Sequence, residues 1–196
     1  MKKSITLLLY IVFVVFYLAE GAVHFAYDRI TMPSQQTVDL SYFEVVDMKQ
    51  IDEKTFVSVT NDPYFSLIDG DMFEIHTVKY TLGQPCSGAK GLYYTTAKQP
   101  MYSGKNMIIA DDDGSGTVEY ILPMGKNRRI RLDISGVLGE TIAVQEIVIN
   151  YRPAFIDYFV ITAMDIAKFI ALPPFIGSII LFIRDLFLKY VKKQEI

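Results

Sequence analysis

The sequence predicts an all-β antiparallel sandwich or jelly roll between two membrane-seeking ends: an N-terminal transmembrane helix, and a C-terminal interfacial helix followed by a membrane helix. Three observations predict it. Apolar segments occupy both ends, Ser4 to Ala19 and Phe155 to Tyr190. Between Val38 and Tyr151 the chain breaks into short runs of Val, Ile, Tyr, Phe and Thr, punctuated by Gly, Asp, Asn and Pro, as strands and their turns require. The apolar fraction, 51% of 196 residues with a mean hydropathy of +0.26, is high for a soluble domain, and the excess sits at the ends.

The first element is the anchor, residues 1–27. Met1-Lys2-Lys3 precedes an uncharged run, and the next ionised side chains are Glu20 and Asp28. A helix from Ile5 to Tyr27 is roughly 34 Å long at 1.5 Å per residue, enough to cross a bilayer with Glu20 at the outer interface. Lys2 and Lys3 then stay on the cytoplasmic side. A cleavable signal peptide is the competing reading, since Ala19-Glu20-Gly21 loosely fits a small-x-small cleavage pattern, although Tyr10, Phe13, Phe16 and Tyr17 make the core bulky. Both readings export the middle of the chain. Residues 28–37, with Pro33 and two glutamines, read as a linker.

The sandwich is expected over residues 38–152, with strands at Leu40–Val46, Thr55–Thr60, Tyr64–Ile68, Phe73–Thr81, Leu92–Thr96, Asn106–Ala110, Thr117–Leu122, Arg129–Ile134 and Ile142–Asn150. Asn61-Asp62-Pro63, Asp69-Gly70-Asp71 and Gly114-Ser115-Gly116 supply turns. Alternation is clearest at Arg129–Ile134: Ile130, Leu132 and Ile134 face the core, and Arg129, Arg131 and Asp133 the other side. His76, alternating with apolar neighbours, is expected on a polar strand face.

Asn61-Asp62-Pro63-Tyr64-Phe65, Gly91-Leu92-Tyr93-Tyr94 and Arg129-Ile130-Arg131-Leu132-Asp133, closing on Ile142–Ile149, together form a pattern of turn, tyrosine strand, charged strand and final strand. In this the chain resembles the extracytoplasmic sandwich domains attached to bacterial membrane glycosyltransferases and other surface-polysaccharide membrane proteins. Those carry a large multispanning catalytic part that has no counterpart here, so the resemblance implies an accessory role. It also implies a multispanning membrane partner, such as a glycosyltransferase, and a glycan near the sandwich.

Chemistry-bearing residues are few. A formal net charge of −3 offers no basic surface to phosphates, which excludes nucleic acid as a partner. Cys86 is the single cysteine, so the exported domain rests on its core without an internal disulfide. No phosphate loop, H-E-x-x-H or G-x-S-x-G motif occurs, and no pair among the 22 acidic residues stands out for hydrolysis. The expectation is a non-enzyme without a cofactor. Asp111, Asp113 and Ser115 match the start of a Ca²⁺ loop, but its twelfth position is Leu122 rather than Glu, and a solvated hairpin turn is the plainer reading. Tyr64, Tyr93, Tyr94 and Tyr102 are candidates to stack on pyranose faces, with Arg129, Arg131, Asp62 and Asp133 at the hydroxyls.

At the C-terminus, residues 153–172 read as an amphipathic interfacial helix carrying Asp157, Asp165 and Lys168 on one face. Pro173-Pro174 is expected to break it, and residues 173–196 to form a membrane helix that either spans, with a basic cytoplasmic tail, or lies as a second interfacial helix. If it spans, Arg184 and Asp185 lie in the membrane, where ionised groups need cover. With Asp157, Asp165 and Lys168 they are the expected docking residues for the multispanning partner. The functional expectation is a non-catalytic, bilayer-anchored accessory subunit of a cell-envelope glycan synthesis or export complex. The alternative is an envelope assembly protein that binds protein rather than sugar.

Overall fold

In the computed structural model, which describes residues 2–68, 74–110, 114–161 and 163–194, the chain divides into two units, residues 26–153 and residues 1–25 with 154–196.

The first unit is an antiparallel β-sandwich. Among the described residues its strands are β1 (Gln36–Thr37), β2 (Phe43–Val46), β3 (Met48–Gln50), β4 (Thr55–Ser58), β5 (Tyr64–Leu67), β6 (Thr77–Leu82), β7 (Lys90–Thr96), β8 (Met107–Ala110), β9 (Thr117–Ile121), β10 (Asn127–Asp133) and β11 (Thr141–Ile149). One sheet runs β3-β4-β11-β6-β9, with β1 also on β11; the other runs β2-β5-β10-β7-β8. Only β3-β4 and β7-β8 pair with their sequence neighbour; the chain otherwise crosses between sheets or returns at a distance, as in a jelly roll. Asp47, at φ 58, lies at the second such crossing, where the chain passes from β2 in one sheet to β3 in the other.

Alternation places the core between the sheets. Ile130, Leu132 and Ile134 are fully buried, as are Phe65 and Leu92 on the flanking strands, and Phe56 and Phe65 join the two sheets edge to face at 5.2 Å. Cys86 is buried and forms no disulfide. Each strand expected from the sequence is present, with shifted ends; β1 and β3 are additional, being too short to show a period.

Two expectations are corrected in this unit. Residues 28–37 are not a plain linker: helix α1 (Lys2–Thr31) continues to Thr31, Met32 N–H donates to Asp28 O at 2.9 Å, and β1 pairs with β11. No breaker precedes Pro33, which disfavours helix at the residue before it. His76 is not on a polar face. It is 2% exposed, its Nδ1 lies 2.7 Å from Asp28 Oδ1, and its ring stacks on Tyr27 at 5.7 Å. Asn150, at φ 57, accepts from His76 N–H and donates to Glu74 O, which fixes the backbone around the pair.

The second unit is a helical hairpin. Residues 2–25 of α1 pack against α2 (Ala163–Gln194), which follows a short 3₁₀ turn, Phe155–Phe159. Thr6 and Leu9 lie against Gly177, Tyr17 meets Phe169 edge to face at 5.6 Å, and Gly21 lies under Phe159, so the helices run antiparallel. Gly21 and Gly177 allow the close approach: a Cβ at Gly21 would sit 2.5 Å from Phe159 Cε1. Small residues serve this role where two apolar helices pack.

The expected break at Pro173-Pro174 is absent, and with it the separate interfacial helix ending at Leu172; α2 runs through both prolines. One freed carbonyl finds another partner: Tyr10 Oη donates to Ile170 O, four residues before Pro174, at 3.4 Å. Ile5–Thr31 and Asp165–Tyr190, with mean hydropathies of 2.2 and 2.1, are each long and apolar enough to cross a membrane. Thirty and 32 residues make helices of roughly 45 and 48 Å, longer than a hydrocarbon core of about 30 Å.

Candidate functional site

Residues directly opposite one another in an antiparallel sheet share a face. The register of the β2-β5-β10-β7-β8 sheet therefore writes its outer surface as two rows. One is Glu44, Ser66, Arg131, Tyr93 and Met107; the next is Val46, Tyr64, Asp133, Gly91 and Ile109.

Arg131 is the hub. Its guanidinium carbon lies 3.7 Å from the centroid of Tyr64 and 5.2 Å from that of Tyr93. Nε donates to Asp133 Oδ1 at 2.6 Å, and Nη2 to Asp133 Oδ2 at 3.1 Å and Asp62 Oδ1 at 2.7 Å. Gly91 leaves room beside Asp133, whose side chain a Cβ there would meet at 3.6 Å. Arg131 and Asp133 are 20% and 18% exposed, whereas Asp62, in the turn before β5, is 66% exposed. Burial works against the Arg131 charge, but the hydrogen bonds and charges of Asp133 and Asp62 outweigh it and hold the guanidinium above its ordinary range. Burial likewise pushes the Asp133 carboxyl up, against the pull of Arg131.

Tyr102 reaches the same sheet from the loop before β8. Its hydroxyl donates to Ile130 O at 2.9 Å and meets Ser66 Oγ at 3.2 Å, and burial raises its pKa. Arg129 is exposed on the outer side of β10, its N–H donating to Thr95 Oγ1 at 3.3 Å. The structure thus brings Asp62, Tyr64, Tyr93, Arg131 and Asp133 into one cluster with Tyr102 beside it. Ser66 and Glu44, not singled out from the sequence, complete the row. Their signal was the parity Ser66 shares with Tyr64 and the parity opposite to buried Phe43 that Glu44 has, readable only once the β2-β5-β10 register is known.

Tyr94 is a correction. It is 9% exposed and belongs to the core, because it shares the parity of buried Leu92. Asp111 and Asp113 lie outside the described residues. Ser115 Oγ accepts from Thr117 N–H at 3.1 Å, a turn-forming bond, and no His, Cys, Asp and Glu cluster among the described residues suits a metal.

The expected docking residues are not gathered into a stripe. Asp157 lies in the 3₁₀ turn and accepts from Ala154 N–H at 2.7 Å. Lys168 pairs with Asp165 at 3.3 Å, and Arg184 with Asp185 at 2.6 Å. These charges have counter-ions within the hairpin unit and keep part of their side chains exposed on it.

Just past Asp133, in the loop after β10, Glu140 accepts from Ser87 N–H at 2.6 Å and from the Ser135 hydroxyl, while buried Lys90 donates from Nζ to Cys86 O at 2.5 Å and Gly88 O at 3.0 Å. Burial alone would raise Glu140, but these hydrogen bonds and the Lys90 charge outweigh it and hold the carboxyl below its ordinary range. The network ties the loop before β7 to the loop after β10, and so fixes the ends of the strands that carry Gly91 and Asp133.

No family model matches the chain, and no curated protein matches it. Among solved structures it is similar to the low-affinity xylan-binding module CBM86 from Roseburia intestinalis, with a TM-score of 0.40 at 10% identity over 60% of this chain and 95% of that one. It is also similar to the C-terminal CBM6 of the marine laminarinase LamC from Zobellia galactanivorans, with a TM-score of 0.37 at 13% identity over 60% of this chain and 100% of that one. A third is CsCBM6-3 from Clostridium stercorarium in complex with cellobiose, with a TM-score of 0.30 at 12% identity over 62% of this chain and 88% of that one.

Proposed function

We propose that this chain is a non-catalytic, membrane-anchored subunit whose sandwich binds glycan outside the membrane, in the service of an envelope glycan synthesis or export complex. The observation that carries the reading is the face around Arg131. Tyrosine rings flank a guanidinium whose carboxylate partners leave donors and acceptors open at the surface, the combination a sugar needs for its apolar ring faces and polar edges.

The hairpin supports the anchoring half. Two antiparallel apolar helices put Lys2 and Lys3 at the same end as Lys189, Lys192 and Lys193, so one cytoplasmic side satisfies the positive-inside rule for both. The sandwich then lies on the other side. The partner is a multispanning membrane enzyme that makes or moves the polymer.

The full-length protein in nanodiscs, titrated with a panel of oligosaccharides and followed by calorimetry, tests the binding. Saturable binding of at least one glycan, lost in Tyr93→Ala, is the expected result. No binding across the panel, together with copurification of an envelope protein that is not a glycan enzyme, would establish the competing assembly role. Membrane-impermeant thiol labelling in intact cells tests the orientation: a cysteine at Lys98 should label from outside and one at Lys189 should not.

A further inference from the structure

Arg131 has five N–H donors, and the protein uses three: Nε with Asp133, and Nη2 with Asp133 and Asp62. The two hydrogens on Nη1 meet no acceptor among the described residues. Asp133 spends both oxygens on the guanidinium, whereas the exposed Asp62 spends Oδ1, and its Oδ2 has no partner among the described residues. The open surface of the cluster is therefore a donor pair beside an acceptor. Its carboxylates already outnumber its cations: on this face Glu44, Asp62 and Asp133 stand against Arg129 and Arg131.

We infer that this site selects neutral saccharides, through adjacent hydroxyls that accept from Arg131 Nη1 and donate to Asp62, and rejects uronates and other anionic sugars. The inference rests on the glycan-binding reading above and names its substrate class. A hydroxyl is both donor and acceptor, so neighbouring hydroxyls satisfy Nη1 and Asp62 Oδ2 at once without disturbing the clamp. A sugar carboxylate offers no donor to Asp62. It must approach the guanidinium beside two carboxylates that already hold it, and like charges a few ångströms apart at a half-exposed surface weaken binding by about tenfold or more.

The test uses the full-length protein in nanodiscs, titrated with neutral gluco-, xylo- and galacto-oligosaccharides and with matched uronate oligosaccharides. Binding of a neutral series about tenfold or more tighter than its uronate counterpart, with little dependence on salt, is the expected result. Asp62→Asn frees part of the Arg131 charge and should narrow or invert that preference. Uronate binding equal to or tighter than neutral binding, steepening as salt falls, overturns the inference while leaving glycan binding intact. Failure of every oligosaccharide to bind overturns both. Asp62→Asn is the informative variant because Asp62 is exposed and its loss leaves the Arg131–Asp133 pair and the fold in place; a neutral preference unchanged by it also overturns the inference.

Discussion

Replacing Arg131 by Ala removes the hub of the outer face and leaves Asp133, 18% exposed, without a counter-ion. Breaking a fully buried pair by deleting one partner costs about 3–5 kcal/mol; the residual exposure of both groups lets water replace part of the lost interaction, so about 2 kcal/mol remains. Loss of the stacked contact with Tyr64 adds about 0.5–1 kcal/mol, for a total near 2–3 kcal/mol. Asp133→Asn in the same background removes the stranded charge and should recover about half of that, so the double-mutant cycle carries a coupling of about 1 kcal/mol or more. Native-state hydrogen exchange of the full-length protein in nanodiscs, read on peptides spanning β5, β7 and β10, measures all four corners of the cycle. Arg131→Ala within about 0.5 kcal/mol of wild type, or Asp133→Asn failing to recover any loss, would refute the hub as a stabilising unit.

Three further outcomes are expected. Glu140 has a folded pKa below its ordinary 4.5, so its contribution is present above that value and lost as pH falls through the folded value. Glu140→Gln should accordingly destabilise at neutral pH, by about 1–2 kcal/mol from weakened charged hydrogen bonds, and the gap from wild type should close in acid denaturation below about pH 4; a gap independent of pH counts against the network. Asp28→Ala, which strips the 2%-exposed partner from buried His76, should cost about 2–4 kcal/mol and release exchange protection in β6 first. Gly21→Ala forces Phe159 aside and should reduce, several-fold, the cross-linking of a Tyr17→Cys, Phe169→Cys pair by a short bifunctional thiol reagent, compared with the same pair in the parent hairpin; unchanged yield means that the glycine does not set the approach.

Much of the Arg131 face was legible in the chain. The strict alternation of Arg129–Asp133 put its charges on one side and its aliphatics on the other before any fold was known, and that parity holds. Tyr93 and Tyr94 show where such reading stops: adjacent aromatics must face opposite ways, and only the parity shared by Leu92 and Tyr94 tells which is inward. Ser66 and Glu44 were invisible because strand partners far apart in sequence, as Ser66 and Arg131 are, carry no local signal. The helical ends went the other way. Proline chemistry predicted a break at Pro173-Pro174, and a Tyr10 hydroxyl from the other helix, 160 residues away in sequence, offsets the lost bond.

The sequence by itself determined that the middle is strand-rich, that the ends are apolar and long, and that Arg131 and Asp133 share a face, because each of these follows from periodicity within a few residues. Tertiary structure alone decided that Asp62, Tyr64 and Tyr93 close around Arg131, that His76 is buried on Asp28, and that Lys168 pairs with Asp165 and Arg184 with Asp185. The physical reason is common to all three. A side chain's direction is set by its own backbone, but its partner is set by which distant strand, turn or rotamer arrives within 3 or 4 Å, and that is a property of the packed core.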